Sequence, residues 1–139
     1  NKKMGVISSS CSLVIRGRDK LDFEKINQNI IHSTKCFRMG EIISKAFGEC
    51  EKDLWIYEVA IENDEEPRKA VKNLLKIIKH SKNYIKQIAD SVDISIRWFV
   101  QSELSQIGID LLPEDFSEMA ELSIRMEISI FSWGGVEMD

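Results

Sequence analysis

Residues 10 to 16 alternate, with Cys11, Leu13 and Ile15 on one side and Ser12, Val14 and Arg16 on the other, and a period of two predicts a strand. Asp22 then precedes Phe23, Ile26 and Ile30, spaced i, i+3 and i+7. That spacing predicts a short helix facing a sheet, with the carboxylate capping its first turn. Between residues 35 and 44 the pattern is weak and Gly40 breaks it, which reads as an edge strand or an irregular crossing. Residues 53 to 62 put Trp55, Tyr57, Val59 and Ile61 on one face and Leu54, Ile56 and Ala60 on the other. This reads as a central strand covered fully on one side and partly on the other.

Asn63-Asp64-Glu65-Glu66-Pro67 has the chemistry of a helix start, because acidic residues complement the positive end of the dipole and proline costs no hydrogen bond in the first turn. The helix is expected to run to about Ser91, with Val71, Leu74, Leu75, Ile78, Ile85 and Ile88 as its apolar stripe. From Asp93 to Val100 alternation returns, with Ile94, Ile96, Trp98 and Val100 inward and Ser95, Arg97 and Phe99 outward. A polar stretch from Gln101 to Gln106 leads to a short strand at 107 to 112. Pro113-Glu114-Asp115 then opens a helix expected to bury Phe116, Met119, Ala120 and Ile124. Met126, Ile128 and Ile130 mark a last strand, and fraying is expected beyond Trp133.

Short connections and right-handed crossovers would lay the helices on one face of a mainly antiparallel sheet. The expectation is therefore an α+β fold with a ferredoxin-like (split βαβ) core plus an extra C-terminal helix and strand. The 139 residues suit one domain spanning residues 1 to 139, with an ordered core at about 8 to 133. Apolar residues make up 43% and charged residues 30%, with 7 Gly and 2 Pro, which excludes collagen-like, low-complexity and strongly disordered classes. Apolar runs such as Trp98-Phe99-Val100 fall far short of the ~20 residues of a membrane helix, so no membrane association is expected. Asn1-Lys2-Lys3-Met4 reads as a trimmed start. Three irregularly spaced cysteines, Cys11, Cys36 and Cys50, make a poor disulfide framework and fit a reducing cytoplasm.

The opening Cys11-Ser12-Leu13-Val14-Ile15-Arg16-Gly17, the helix beginning Leu21-Asp22-Phe23-Glu24-Lys25-Ile26, and the stretch Ile107-Gly108-Ile109-Asp110-Leu111 carry a family likeness. With Phe116, Met119-Ala120 and Met126-Glu127-Ile128-Ser129-Ile130-Phe131, they resemble the bacterial domain-of-unknown-function 4279 family from about residue 10 to 131. The resemblance implies a small bacterial protein of α+β fold. Its motifs are structural, so it brings no catalytic residues.

Candidate chemistry is thin. Cys11, His32, Cys36 and Cys50 lack the tight ligand pairs of structural zinc sites, and buried free thiols are the expectation, with no metal or cofactor. A nucleophile among Ser8-Ser9-Ser10 or the cysteines would need His32 or His80 as base, and no Gly-x-Ser-x-Gly elbow, Walker loop or Gly-x-Gly-x-x-Gly is present. Glu114, Asp115, Glu118 and Glu121 are expected on the solvated side of their helix.

Charge is the uneven feature. Between Pro67 and Ala89 stand Arg68, Lys69, Lys72, Lys76, Lys79, Lys82 and Lys86, seven positive residues and no acidic one. The whole chain has 19 basic and 23 acidic residues, so the remainder holds 12 against 23, a charge of −11. The lysines Lys69, Lys72, Lys76, Lys79, Lys82 and Lys86 therefore form a candidate partner-binding ridge, weighed against an ordinary solvated helix back. Lysine without interleaved exposed aromatics argues against RNA recognition, and an acidic protein partner is the more economical expectation. The leading expectation is a non-catalytic macromolecule-binding domain, a toxin-neutralising partner being one concrete form. The alternatives are a small-molecule or enzymatic domain with a pocket between sheet and helices, and binding of a nucleic-acid backbone by the ridge.

Overall fold

A twelve-residue strand, β1 (Val6–Gly17), runs through the middle of the molecule. The chain continues through α1 (Phe23–Asn29), β2 (Lys35–Phe37), β3 (Ile42–Ser44), β4 (Gly48–Glu49) and β5 (Leu54–Ile61). After α2 (Arg68–Ile78), a 3₁₀ turn at Lys79–Ser81 and α3 (Lys82–Ile88) come β6 (Val92–Ser102), α4 (Pro113–Leu122) and β7 (Arg125–Ser132). The computed structural model describes residues 6–61 and 65–132. Asn63, Asp64, the N-terminal Asn1-Lys2-Lys3-Met4 and the end from Trp133 lie outside the described residues.

The fold is α+β, with the sheet order β2-β5-β1-β6-β7. Every pairing is antiparallel except that of β6 with β7. β5 and β6 both run against β1, so they are parallel to each other with β1 between them, joined by the helices α2 and α3. β5 is an interior strand, as its pattern predicts, and β1 lies at the middle of the five. The weakly patterned stretch after residue 34 makes the short edge strand β2 and then a separate two-stranded ribbon of β3 and β4, entered through Gly40 at a φ of 94°.

Register fixes the two faces. Cys11 faces Val59 and Trp98, Leu13 faces Tyr57 and Ile96, and Ile15 faces Trp55 and Ile94. These inward rows meet Val71, Leu74, Leu75, Ile78 and Ile85 in one core, as the apolar stripe requires. Trp55 Nε1 donates to Asn27 Oδ1 of α1 at 2.8 Å, and Trp98 Nε1 donates to Ser9 Oγ at 2.9 Å. The Ser9 hydroxyl in turn donates to the Pro67 carbonyl at the start of α2. Both indoles are therefore buried with their N–H groups satisfied, which avoids the penalty of an orphaned buried donor. Asp22 caps α1 as expected, accepting from Lys25 N at 3.1 Å. At Gly17, where β1 ends, a Cβ would come within 2.3 Å of the Asp19 carbonyl, so the turn requires the missing side chain.

Four expectations are corrected. The long helix is not continuous to Ser91, because a 3₁₀ turn at Lys79–Ser81 divides it. Lys79-His80-Ser81 offers no apolar anchor between Ile78 and Ile85, so core packing does not hold the α geometry there. Residues 107 to 112 form no strand: β7 takes the place beside β6, and Ile107, Ile109 and Leu111 pack on the core without a strand partner. The helix α4 buries Asp115 and Leu122, while Phe116 is 57% exposed and Ala120 is exposed. Finally, Asp115 is not on a solvated side: it is only 3% exposed. An ion pair draws it inward and sets the rotation of α4, which periodicity alone could not reveal.

Leu75 is 0% exposed at the centre of this core. Leu75→Ala is expected to cost ~2 to 5 kcal/mol, a large-to-small loss in a close-packed interior, measured as a shift in urea midpoint at unchanged slope.

Candidate functional site

Among the described residues, the helices cover only one face of the sheet. On the other, the outward rows of β1, β5, β6 and β7 lie open, and register sets who neighbours whom. Val14 pairs with Ile56 and Ser95, Ser95 pairs with Arg125, Ser12 pairs with Arg97, and Arg97 pairs with Glu127. Small buried residues, Ser12, Val14 and Ser95, thus make a floor between long charged ones. Two hollows result. One, of about 490 Å³, is lined by Arg16, Arg18, Arg97 and Arg125 around Val14 and Ser95, with Asp93 as its acidic member. The other, about 260 Å³, shares Val14 and Arg97 and adds Leu54, Ile56, Phe99 and Lys35.

The guanidiniums are held but not quenched. Glu127 bridges Arg97 Nε and Arg125 Nη1, each at 3.2 Å, through different carboxylate oxygens. Arg16 makes one 3.4 Å contact with the exposed Glu51. Arg18 is more committed: it donates to Asp93 and to the carbonyls of Asp90 and Val92, closing the C-terminal end of α3. Sequence reading placed Arg16 and Arg97 outward but did not join them with Arg125, because that cluster needs the register of three strands.

The lysine ridge is on the far side of the molecule, across the helix layer. The 3₁₀ turn interrupts its helical spacing. Lys69 pairs with Glu65 at 3.3 Å and Lys82 with Glu121 at 3.6 Å, acids supplied from outside the basic segment. Lys72, Lys76, Lys79 and Lys86 are exposed and make no ion pair among the described residues. Lys72 still acts on Asp115, whose pKa its charge helps to lower.

Two carboxylates are buried: Asp53, which no sequence pattern singles out, and Asp115, which the helix pattern puts on the solvated side. Asp53 accepts from Leu21 N at 2.9 Å, Met39 N at 2.8 Å and Arg38 Nη1 at 2.6 Å, tying the loop after β1 and the segment after β2 to the start of β5. Burial pushes its carboxyl up, but the two amides and Arg38 together hold it below the ordinary aspartate value. Asp115 likewise overcomes its burial through a two-point pair with Arg68, at 2.6 and 3.0 Å, and the Leu112 N–H at 2.8 Å, and its pKa is lowered. This pair fastens the start of α4 to the start of α2.

Cysteine and histidine chemistry does not converge. Cys11 is in the core, where burial pushes its thiol up to about 12, while Cys36 is exposed and Cys50 is buried with Sγ donating to the Lys52 carbonyl. His32 is exposed, near Asn27. His80 lines a hollow of about 400 Å³ with Glu118 and Glu121, but no hydroxyl or thiol lines it. Among the described residues no group of three His, Cys, Asp or Glu side chains is placed to hold a metal, and no helix is long and apolar enough to cross a membrane.

The architecture is thus an α+β domain with a one-sided helix layer and an open, arginine-bearing sheet face. The chain belongs to the family described as Domain of unknown function (DUF4279), whose model matches residues 7–133. No curated protein and no solved structure matches the chain.

The depressed carboxylates give a signed pH dependence. Their contribution is present above the ordinary aspartate pKa of ~3.9 and is lost as pH falls through their lower folded values. Asp53→Asn and Asp115→Asn should each lower stability at neutral pH and flatten the loss of stability below about pH 4, read by urea unfolding across pH. Thiol accessibility gives a second check. Cys36 should react with a disulfide reagent in the native protein, whereas Cys11 should react only on unfolding, since the thiolate is the nucleophile. Rapid native labelling of Cys11 would contradict its place in the core.

Proposed function

We propose that the protein is a non-catalytic domain of the bacterial cytoplasm that binds an acidic protein partner through Lys72, Lys76, Lys79 and Lys86. The observation that carries this reading is that these four lysines face solvent without ion-pair partners among the described residues, on a chain whose remaining charge is strongly negative. Unpaired cations on a helix layer dock without an internal ion pair having to break, and they steer a partner of opposite sign over a Debye length. A neutralising partner for a toxin is one form such a protein takes. Three unpaired cysteines, one of them exposed, accord with a reducing compartment.

A second reading, acid–base chemistry, is favoured by the hollow that brings His80 beside Glu118 and Glu121. With no hydroxyl or thiol among its described lining residues, the role this reading gives the hollow is proton transfer by His80 and the two carboxylates.

Lys72→Glu, Lys76→Glu, Lys79→Glu protein should fold as the wild type does but lose a nuclease-resistant, acidic partner recovered with wild-type protein. Association with that partner, once isolated, should slow as salt rises, because the Debye length contracts from ~10 Å at 0.1 M to ~3 Å at 1 M. Equal recovery by both proteins at every salt concentration overturns the reading, and a nuclease-sensitive difference replaces it with nucleic-acid binding.

A further inference from the structure

The open sheet face carries chemistry that the lysine reading leaves unused. Arg16, Arg97 and Arg125 come from three adjacent strands, and the register sets them around Val14 and Ser95. A guanidinium presents a planar fork of donors that matches the oxygens of phosphate. Ser95, although only 3% exposed, belongs to the wall of the hollow.

The charge balance of the hollow is positive. Four guanidiniums, those of Arg16, Arg18, Arg97 and Arg125, meet three carboxylates, those of Glu51, Asp93 and Glu127. Glu127 holds two of the arginines at 3.2 Å each, which sets them side by side, and among the described residues no other ion pair takes up their remaining N–H groups. Such a carboxylate preorganises the pair and also competes with any anion for it.

Volume decides what kind of anion. The arginine hollow, about 490 Å³, lies within the ~300 to 1,000 Å³ of small-molecule sites and is roomy for a bare inorganic ion. It shares Val14 and Arg97 with the second hollow, where Leu54, Ile56 and the 37%-exposed Phe99 offer apolar surface between the oppositely charged Lys35 and Glu58. One side is therefore built for an anionic head and the other for a flat, less polar body. A ring lying there would have Phe99 to stack on, with the Arg97 guanidinium at the junction.

We infer that the open sheet face of this protein is a binding site for a phosphate monoester with a planar organic part, its phosphate held by Arg16, Arg97 and Arg125 and its ring lying toward Phe99. The site is on the opposite side of the sheet from the lysine ridge, so the two readings stand or fall separately.

Calorimetric titration at constant ionic strength with adenosine monophosphate, inorganic phosphate and adenosine tests it. The monophosphate should bind saturably, inorganic phosphate about tenfold or more weakly, and adenosine weakest, since charge-assisted hydrogen bonds supply the head-group affinity. Arg97→Gln with Arg125→Gln should weaken the monophosphate about tenfold or more. Glu127→Gln should strengthen it, by removing the competing carboxylate, a gain that a purely structural ion-pair network would not give. Phe99→Ala should weaken the monophosphate while leaving inorganic phosphate unchanged. Lys72→Glu, Lys76→Glu, Lys79→Glu protein should retain the site. Absence of saturable binding up to about 10 mM, far above the concentration at which a useful small-molecule site fills, overturns the inference. So does inorganic phosphate binding as tightly as the monophosphate, or Glu127→Gln weakening it in a protein of unchanged melting temperature.

Discussion

One-sided cover of the sheet is the constraint on which the molecule depends. Helices α1, α2 and α3 come from crossovers that all lie on the same face, and the large apolar side chains of β1, β5 and β6 point there. The main hydrophobic core is on that side, including both buried tryptophans and the fully buried stripe of α2. Among the described residues the other face meets no helix, so its side chains face water. Small side chains screened by long charged ones are how it does so: Ser12, Val14 and Ser95 are buried beneath arginines rather than beneath another layer.

Two buried carboxylates join parts that apolar packing alone would leave loose. Asp53 gathers a loop, a strand start and Arg38, whose guanidinium also lies 3.9 Å over the Phe23 ring of α1. Asp115 and Arg68 do the same between two helix starts. A carboxylate with several donors in fixed directions specifies a geometry where an apolar contact would tolerate sliding. The exposed Phe116 on α4 follows from that choice, since turning Asp115 inward rotates Phe116 out.

Charge is separated across the sheet. Lysines occupy the back of the helix layer, where acids from α4 and from the segment before α2 answer only Lys82 and Lys69. Arginines occupy the open sheet face, where carboxylates pair with them through a few long contacts. The distinction matters because a mobile ammonium on a long stem suits diffuse attraction, whereas a guanidinium anchored in a sheet suits directed hydrogen bonds.

Periodicity by itself determined the inner and outer sides of β1, β5 and β6, the stripe of α2 and the cap of α1, because these depend on local spacing against a single buried face. It also placed Arg16 and Arg97 outward. Tertiary structure alone decided that Arg125 stands beside them, since β7 pairs in parallel with β6 and that register is set by contacts far apart in sequence. The same holds for the 3₁₀ turn at Lys79–Ser81, the absence of a strand at 107 to 112, and the burial of Asp53 and Asp115. A charged residue reads as surface in any sequence pattern; only the position of its partner, here Arg38 or Arg68, reveals that it is inside.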